Sequence, residues 1–254
     1  MTDRIKTALV TGGAKRIGGA IAADLAADGF AVAIHCNSSV DEGAALAEEI
    51  ALAGGRAIVV AADLTDMRQV ETLVDRVTVE LGPLGLLVNS ASIFRDDAPE
   101  NLDMAVLDRH FAIHLKAPVL LAGKLAAQLP EGAEGLVVNI IDQRVWKLTP
   151  RYFSYTLSKS ALWTATQTLA QALAPRVRVN AIGPGPTLQS TVQEPGDFQA
   201  QVDGLLLKRG PELGEFGATI RYLWQARSVT GQMIALDGGQ HLAWQTPDVT
   251  GMIE

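Results

Sequence analysis

The sequence is short of cysteine, of histidine and of clustered positive charge, and each shortage removes a class of function. Cys36 is the single cysteine, so no internal disulfide forms and no thiolate cluster is at hand for a metal. The four histidines are scattered. His110 and His114 are four apart on an expected helix, but no third ligand accompanies them, and no metal site is expected. Lys and Arg never run more than two in a row and the formal net charge is −7, which argues against nucleic acid or an anionic membrane as partner and for a small molecule. No apolar run reaches the roughly 20 residues that span a bilayer, and the chain does not open on the charged-then-apolar pattern of a secretory signal. A cytoplasmic protein is expected.

With 254 residues, 48% of them hydrophobic, the chain can bury a large core. No linker, repeat or composition shift divides it, so one domain over 1–254 is expected. Short aliphatic runs alternate with longer segments of helical spacing. The strand candidates are TALVT, AVAIH, AIVVAAD, GLLVNSA, GLVVNII, VRVNAIG and QMIALDG. Between them, SVDEGAALAEEIALAGG reads as a helix capped by Ser39 and stopped by Gly54. Others are expected over about Asp66–Leu81, Asp103–Gln128, Tyr152–Ala174 and Pro211–Gln225. This alternation predicts an α/β fold, a Rossmann-like, doubly wound parallel sheet of about seven strands with helices on both faces. Gly183–Gly204 has little pattern; following a strand's carboxyl end, it reads as a flexible substrate loop over about 183–210, against the alternative of an ordinary surface loop.

After the first strand comes TGGAKRIGGA, Thr11 to Ala20. Strand, glycine loop and helix start together make an anion site, because backbone N–H groups and the helix dipole point at the ligand. The spacing is not G-x-G-x-x-G, and alone the loop is a weak signal. It resembles, however, the T-G-x-x-x-G-x-G loop of the short-chain dehydrogenase/reductase family, with Arg16 in place of the middle glycine. Further motifs resemble that family in order along nearly the whole chain: AADL at Asp63, NSAS at Asn89, YTLSK from Tyr155 to Lys159, NAIGPGP and LDGG.

The resemblance implies a nicotinamide dinucleotide held by Gly12, Lys15, Arg16, Ile17 and Gly18 in the loop. Asp63 and Leu64, then Asn89, Ser90 and Ala91, then Tyr155 and Lys159, and finally Pro184, Gly185 and Thr187 complete its cleft. The second strand ends in HCNSS with no acid before Asp41, where an acidic residue would hold the ribose of NAD. Lys15, Arg16, Asn37 and Ser38 instead offer donors to a 2′-phosphate, so NADP(H) is the expected cofactor; Lys15 as a merely solvated lysine is the competing reading. Tyr155 and Lys159, four apart, share one helix face. The resemblance implies that Tyr155 is the proton donor and that Lys159 lowers its pKa and binds the nicotinamide ribose; Tyr152 is followed four positions on by Thr156 and does not compete.

Two positions depart from the family pattern. Asp142 stands thirteen residues before Tyr155 where a serine is usual, and it reads either as an acid–base partner or as a turn cap. His114 stands where an asparagine supports a proton relay; it reads either as a proton-passing imidazole or as a packed helix residue. Together with Arg16 and with Phe94 after the NSAS motif, these departures resemble the pteridine reductase branch, including bacterial dihydromonapterin reductases. A flat heterocycle would lie between nicotinamide and Phe94, with Ser92 and Arg16 on its edge and Asp142 and Tyr155 exchanging protons with it. Arg16 would thus bridge cofactor phosphate and substrate, or else serve the cofactor alone. The expected reaction is hydride transfer from NADPH to a dihydropteridine C=N bond. The alternatives are reduction of a ketone such as a 3-oxoacyl group or sugar, and a sensor that binds the dinucleotide without turnover. The resemblance also implies a homotetramer paired through the helices at 103–128 and 152–174.

Overall fold

A computed structural model describes residues 4–189 and 196–246. Seven parallel strands form one sheet: β1 (Thr7–Thr11), β2 (Ala31–Cys36), β3 (Arg56–Ala61), β4 (Leu86–Asn89), β5 (Gly135–Ile140), β6 (Val177–Pro184) and β7 (Met233–Leu236), in the order β3-β2-β1-β4-β5-β6-β7. Each expected strand is present. The order reverses between β1 and β4, which are joined in register from Ala8↔Leu86 to Thr11↔Asn89. At such a switch point the flanking connections leave on opposite faces and open a crevice at the carboxyl ends of the strands.

Alternation along each strand divides the core in two. In β1, Ala8 and Val10 face one side, with helices α1 (Arg16–Ala27), α2 (Val40–Leu52) and α8 (Leu213–Gln225). Leu9 faces the other, with α3 (Met67–Leu81), α5 (Ala117–Gln128) and α6 (Phe153–Leu173). Leu9, Leu87, Leu121 and Leu125 are wholly buried; truncating any one of them to alanine costs about 2–5 kcal/mol.

Three local expectations are corrected. Ser39 does precede α2, but its hydroxyl makes no capping bond. The expected helix 103–128 is α4 (Met104–Phe111) and α5 joined by a wider π-helical turn, Ala112–Lys116. Its cause is readable: Pro118 has no N–H, so the carbonyl of His114 loses its ordinary i+4 partner, and Ala117 N–H donates instead to Ala112 O. The loop after β6 is not patternless throughout, since α7 (Asp197–Asp203) forms within it; residues 190–195 of that expected substrate loop lie outside the described residues. Among the described residues no helix is long and apolar enough to cross a membrane.

Candidate active site

The glycine loop is shaped by contacts that leave no room for side chains. Gly12 has φ +62, and a Cβ there would meet Ala91 Cα at 2.8 Å; a Cβ on Gly18 would run into the carbonyl of Gly12. Gly12 N–H donates to His35 Nδ1 at 3.2 Å and Gly13 N–H to His35 O at 2.9 Å. A backbone N–H can only donate, so Nδ1 carries no proton and Nε2–H donates to Ala62 O, 3.1 Å away. Burial pushes the His35 pKa down to about 4, so the ring is neutral. Gly12 therefore serves by close approach and not as a donor. The first intrahelical bond of α1 runs from Gly19 to Lys15, so the earlier amides of Ile17 and Gly18 lie at the anion-binding end of the helix. Sequence reasoning missed His35; nothing in AVAIH says that its ring turns back under the loop.

Arg16 has φ +55, the left-handed conformation that the glycine it replaces would adopt without cost. Its guanidinium donates to Leu188 O and Gln189 O at 3.4 Å, so the loop is tied to the segment after β6. Lys15 Nζ lies 3.3 Å from Glu42 Oε1 on the first turn of α2, both side chains being exposed. Asn37 and Ser38 are exposed beyond β2. Asp63 closes a turn by accepting from Thr65 N and Oγ at 2.8 Å, and Leu64 is buried beside it.

At the switch point, Thr11 Oγ accepts from Ser90 N at 3.0 Å and Ala91 N at 3.1 Å. Asn89 is buried and donates to Asn139 Oδ1 at 2.8 Å, and Asn139 in turn donates to Thr166 Oγ at 2.9 Å. Asn89 thus braces β4 against β5 and α6. Pro184 ends β6, Gly185 N–H donates to Leu236 O at 2.8 Å, and Thr187 Oγ donates to Gly185 O at 3.1 Å.

Beyond β4 and β5 the polar side chains converge. Tyr155 and Lys159 stand on one face of α6, both almost fully buried. Tyr155 Oη donates to Asp142 Oδ2 at 2.9 Å, while Arg144 N–H donates to Asp142 Oδ1 at 2.8 Å. Asp142 is thus both turn cap and tyrosine partner, one oxygen for each. Lys159 Nζ donates to Ile140 O at 2.7 Å and sits 5.7 Å from the centre of the Tyr155 ring. Burial lowers the Lys159 pKa to about 8. Burial raises Asp142, and burial together with the Asp142 charge holds Tyr155 well above its ordinary value. The direct partner of the Tyr155 phenol is thus the Asp142 carboxyl group, with the Lys159 ammonium farther off against its ring.

His114 is held on both nitrogens. Its Nε2 accepts from Ile93 N–H at 3.2 Å and faces Ser92 Oγ at 3.0 Å; its Nδ1 faces Ser158 Oγ at 2.8 Å, and Ser158 Oγ donates to Tyr155 O at 2.8 Å. The Ile93 bond fixes Nε2 as acceptor and puts the ring proton on Nδ1. Burial, with Lys159 and His110 nearby, keeps the His114 pKa well below its usual value. The neutral ring ties the β4 loop to α6 through Ser92, Ile93 and Ser158. The neighbouring His110 gives Nδ1 to Val106 O at 2.8 Å. Among the described residues no three His, Cys, Asp or Glu come together as a metal site.

An aromatic wall completes the cleft. Phe94, 42% exposed, stacks on Tyr152 with ring centres 4.1 Å apart and meets the Tyr155 ring edge-on at 4.8 Å. Tyr152 has φ +55 and directly precedes α6. Asp97 accepts from Ser154 N at 3.0 Å and from its hydroxyl, and Asp96 pairs with Arg151 at 2.8 Å. These bonds anchor the loop bearing Phe94 to the start of the helix bearing Tyr155. The Arg144 guanidinium lies over Phe94, Tyr152 and Tyr155. Asp97 and Arg144 were not singled out from the sequence, and Tyr152 was set aside there, because no spacing rule joins residues of the loop after β4 to those between β5 and α6.

A family model described as short chain dehydrogenase matches residues 6–199. The structure of FolM alternative dihydrofolate reductase 1 from Brucella canis, complexed with NADP, superposes with a TM-score of 0.95 at 62% identity, covering 98% of this chain and all of that one. Its counterpart from Brucella suis, also with NADP, gives 0.94 at 64% identity, covering 96% and 98%. A 3-oxoacyl-[acyl-carrier-protein] reductase, FabG of Staphylococcus epidermidis, is 28% identical over 242 residues, 93% of this chain and 99% of the relative.

Proposed function

We propose that this chain, which belongs to the short-chain dehydrogenase/reductase family, is an NADPH-dependent reductase of a dihydropteridine C=N bond. The observation that carries the reading is the Tyr155–Asp142 hydrogen bond, a phenol backed by a carboxyl group beside an aromatic wall. The 62% and 64% identities to the NADP-bound FolM proteins support it.

The residues present fit the cofactor. The glycine loop brings backbone amides to a pyrophosphate, and no carboxylate ends β2 where Lys15, Asn37 and Ser38 stand. Glu42 is the nearest acid on α2 for which a partner is seen, and Lys15 meets it. Lys159, with Asn89 and the Pro184–Thr187 turn, would border the nicotinamide ribose. When bound, NADPH supplies the hydride.

The chain's own part is proton delivery and orientation. The Tyr155 phenol is held protonated and gives its proton to the ring nitrogen of the C=N bond while the adjacent carbon is reduced. Asp142, whose pKa burial raises, returns a proton to the phenolate from solvent at the cleft. The balance is dihydropteridine, NADPH and one proton giving tetrahydropteridine and NADP+. His114 and Ser158 set the position of Tyr155 through its backbone. Phe94 gives a flat face and Ser92 a hydroxyl to the heterocycle.

The second reading, a 3-oxoacyl or other ketone reductase, has the FabG likeness in its favour. A turnover panel decides between them: NADPH and NADH against dihydrobiopterin, dihydromonapterin, dihydrofolate and an acetoacetyl thioester. Dihydropteridine turnover that vanishes in Asp142→Ser is the expected result; turnover of the thioester alone overturns the proposal. A cytoplasmic location and a homotetramer built on α4–α5 and α6 belong to the same proposal, with exposed Met104 and Leu157 as contact residues; sedimentation as a monomer would refute the assembly.

A further inference from the structure

We infer that Arg144 is a substrate-recognition residue, whose guanidinium donates to a carbonyl or carboxylate oxygen of the planar molecule lying against Phe94. The inference rests on the pteridine reading and extends it to one part of the substrate.

Arg144 sits in the short turn Gln143–Val145 after β5, and its main chain is fixed by Asp142. The guanidinium carbon lies 5.0 Å from the ring centre of Tyr152, 5.4 Å from Phe94 and 5.9 Å from Tyr155. Those rings steady the cation, but they supply no oxygen to its N–H groups. Nη1 is buried and has no hydrogen-bond partner among the described residues, although an arginine cannot shed its charge to escape the cost. Asp142 accepts the Arg144 main-chain N–H at one oxygen and the Tyr155 phenol at the other, and among the described residues no ion pair joins a carboxylate to the Arg144 guanidinium.

A buried Nη1 donor without an acceptor among the described residues, beside the wall that flanks the proton donor, is what a ligand oxygen completes. Arginine suits a planar partner presenting an oxygen in the plane of its ring. A dihydropteridine offers such an oxygen on its lactam ring, and a folate-type substrate adds carboxylates on its tail. Lys159 gives one N–H to Ile140 O and would give its others to the nicotinamide ribose.

The test compares Arg144→Met and Arg144→Lys with wild type, using dihydrobiopterin, which has no carboxylate, and dihydrofolate, which has both oxygens, with NADPH affinity read from its fluorescence. In Arg144→Met the KM for dihydrobiopterin should rise about tenfold or more, with kcat within threefold and the NADPH Kd unchanged. Arg144→Lys should fall between, and it decides the matter if the methionine variant does not fold. A rise for both substrates assigns the ring oxygen; a rise for dihydrofolate alone assigns the carboxylate. A KM unchanged for both, or a fall in kcat at constant KM, overturns the inference while the pteridine reading stands. Failure of the wild type to turn over any dihydropteridine overturns both.

Discussion

The carboxyl ends of β1 and β2 and the carboxyl ends of β4 and β5 lie along one edge of one sheet, but different atoms do the work in each. Around the glycine loop the closely fitted atoms are backbone: Gly12 against Ala91, Gly18 against Gly12, and two loop amides turned onto His35. The side chains there, Lys15, Arg16 and Asn37, are exposed. Beyond β4 and β5 the fitted atoms are side-chain oxygens and nitrogens, with Tyr155, Lys159 and His114 buried and each committed to a named partner. A nucleotide carries charged phosphates that backbone amides and solvent-facing cations can hold, whereas a proton must leave from one atom at one place. The first region should therefore tolerate side-chain exchange and resist any added Cβ; the second should do the reverse.

The largest effect is expected from Tyr155→Phe, which removes one oxygen and leaves the ring packing in place. Reductase kcat should fall about 10³-fold, with NADPH affinity within threefold of wild type. A fall of less than tenfold would mean that another group supplies the proton and that the second region is not what its burial suggests.

How much of this was legible in the sequence differs between the two regions in a physical way. Strands buried on both faces announce themselves as unbroken aliphatic runs, so all seven were found. The glycine loop and the Tyr155–Lys159 pair are weak signals alone and were found because, in order with the other motifs, they resemble the short-chain dehydrogenase/reductase family. Partners that come from distant segments left no trace: His35 under the loop, Asp97 capping α6, and Arg144 against Phe94. Asp142 was named from its position, but its two-sided role depends on which oxygen faces which donor, and that is set by the turn that follows it. Arg16 shows the same limit, since the sequence marked it as unusual and gave no sign that it would reach Leu188 and Gln189.

Gly18→Ala tests the first region from the backbone side. The new Cβ would run into the Gly12 carbonyl and crowd Gly13 Cα at 3.2 Å, and overpacking of this kind costs about 1–3 kcal/mol. NADPH should bind about tenfold more weakly or worse, with a lowered Tm; wild-type affinity would show that the loop yields and that its fit is not what defines it.

A smaller effect tests His35, the one side chain on which the backbone region depends. Its folded pKa of about 4 lies below the 6.5 of the unfolded chain, so the unfolded state binds the extra proton first. Stability is complete above about pH 6.5 and is lost as pH falls toward 4, by about 3 kcal/mol at most. His35→Gln, which keeps one acceptor for Gly12 and one donor for Ala62, should flatten that part of the curve. His114 is also held neutral and contributes in the same direction, so the difference between wild type and variant is the quantity to read. Parallel curves for the two proteins between pH 6.5 and 4 would mean that His35 carries none of the acid sensitivity.

The smallest effect is expected at Lys15, and it separates a phosphate ligand from a surface ion pair. Lys15 and Glu42 are both exposed, and such pairs are weak and screened by salt. If Lys15 faces only Glu42, Lys15→Gln changes no cofactor parameter. If it also serves a 2′-phosphate, the KM for NADPH should rise about fivefold at low salt and that for NADH should stay constant, since NADH lacks the phosphate. Glu42→Gln should then do the opposite, freeing the ammonium and lowering the KM for NADPH. Equal changes for both cofactors would remove Lys15 from phosphate recognition and leave Asn37 and Ser38 as its donors. The first region would then hold its ligand by backbone and neutral side chains alone, a sharper contrast with the second than the present geometry requires.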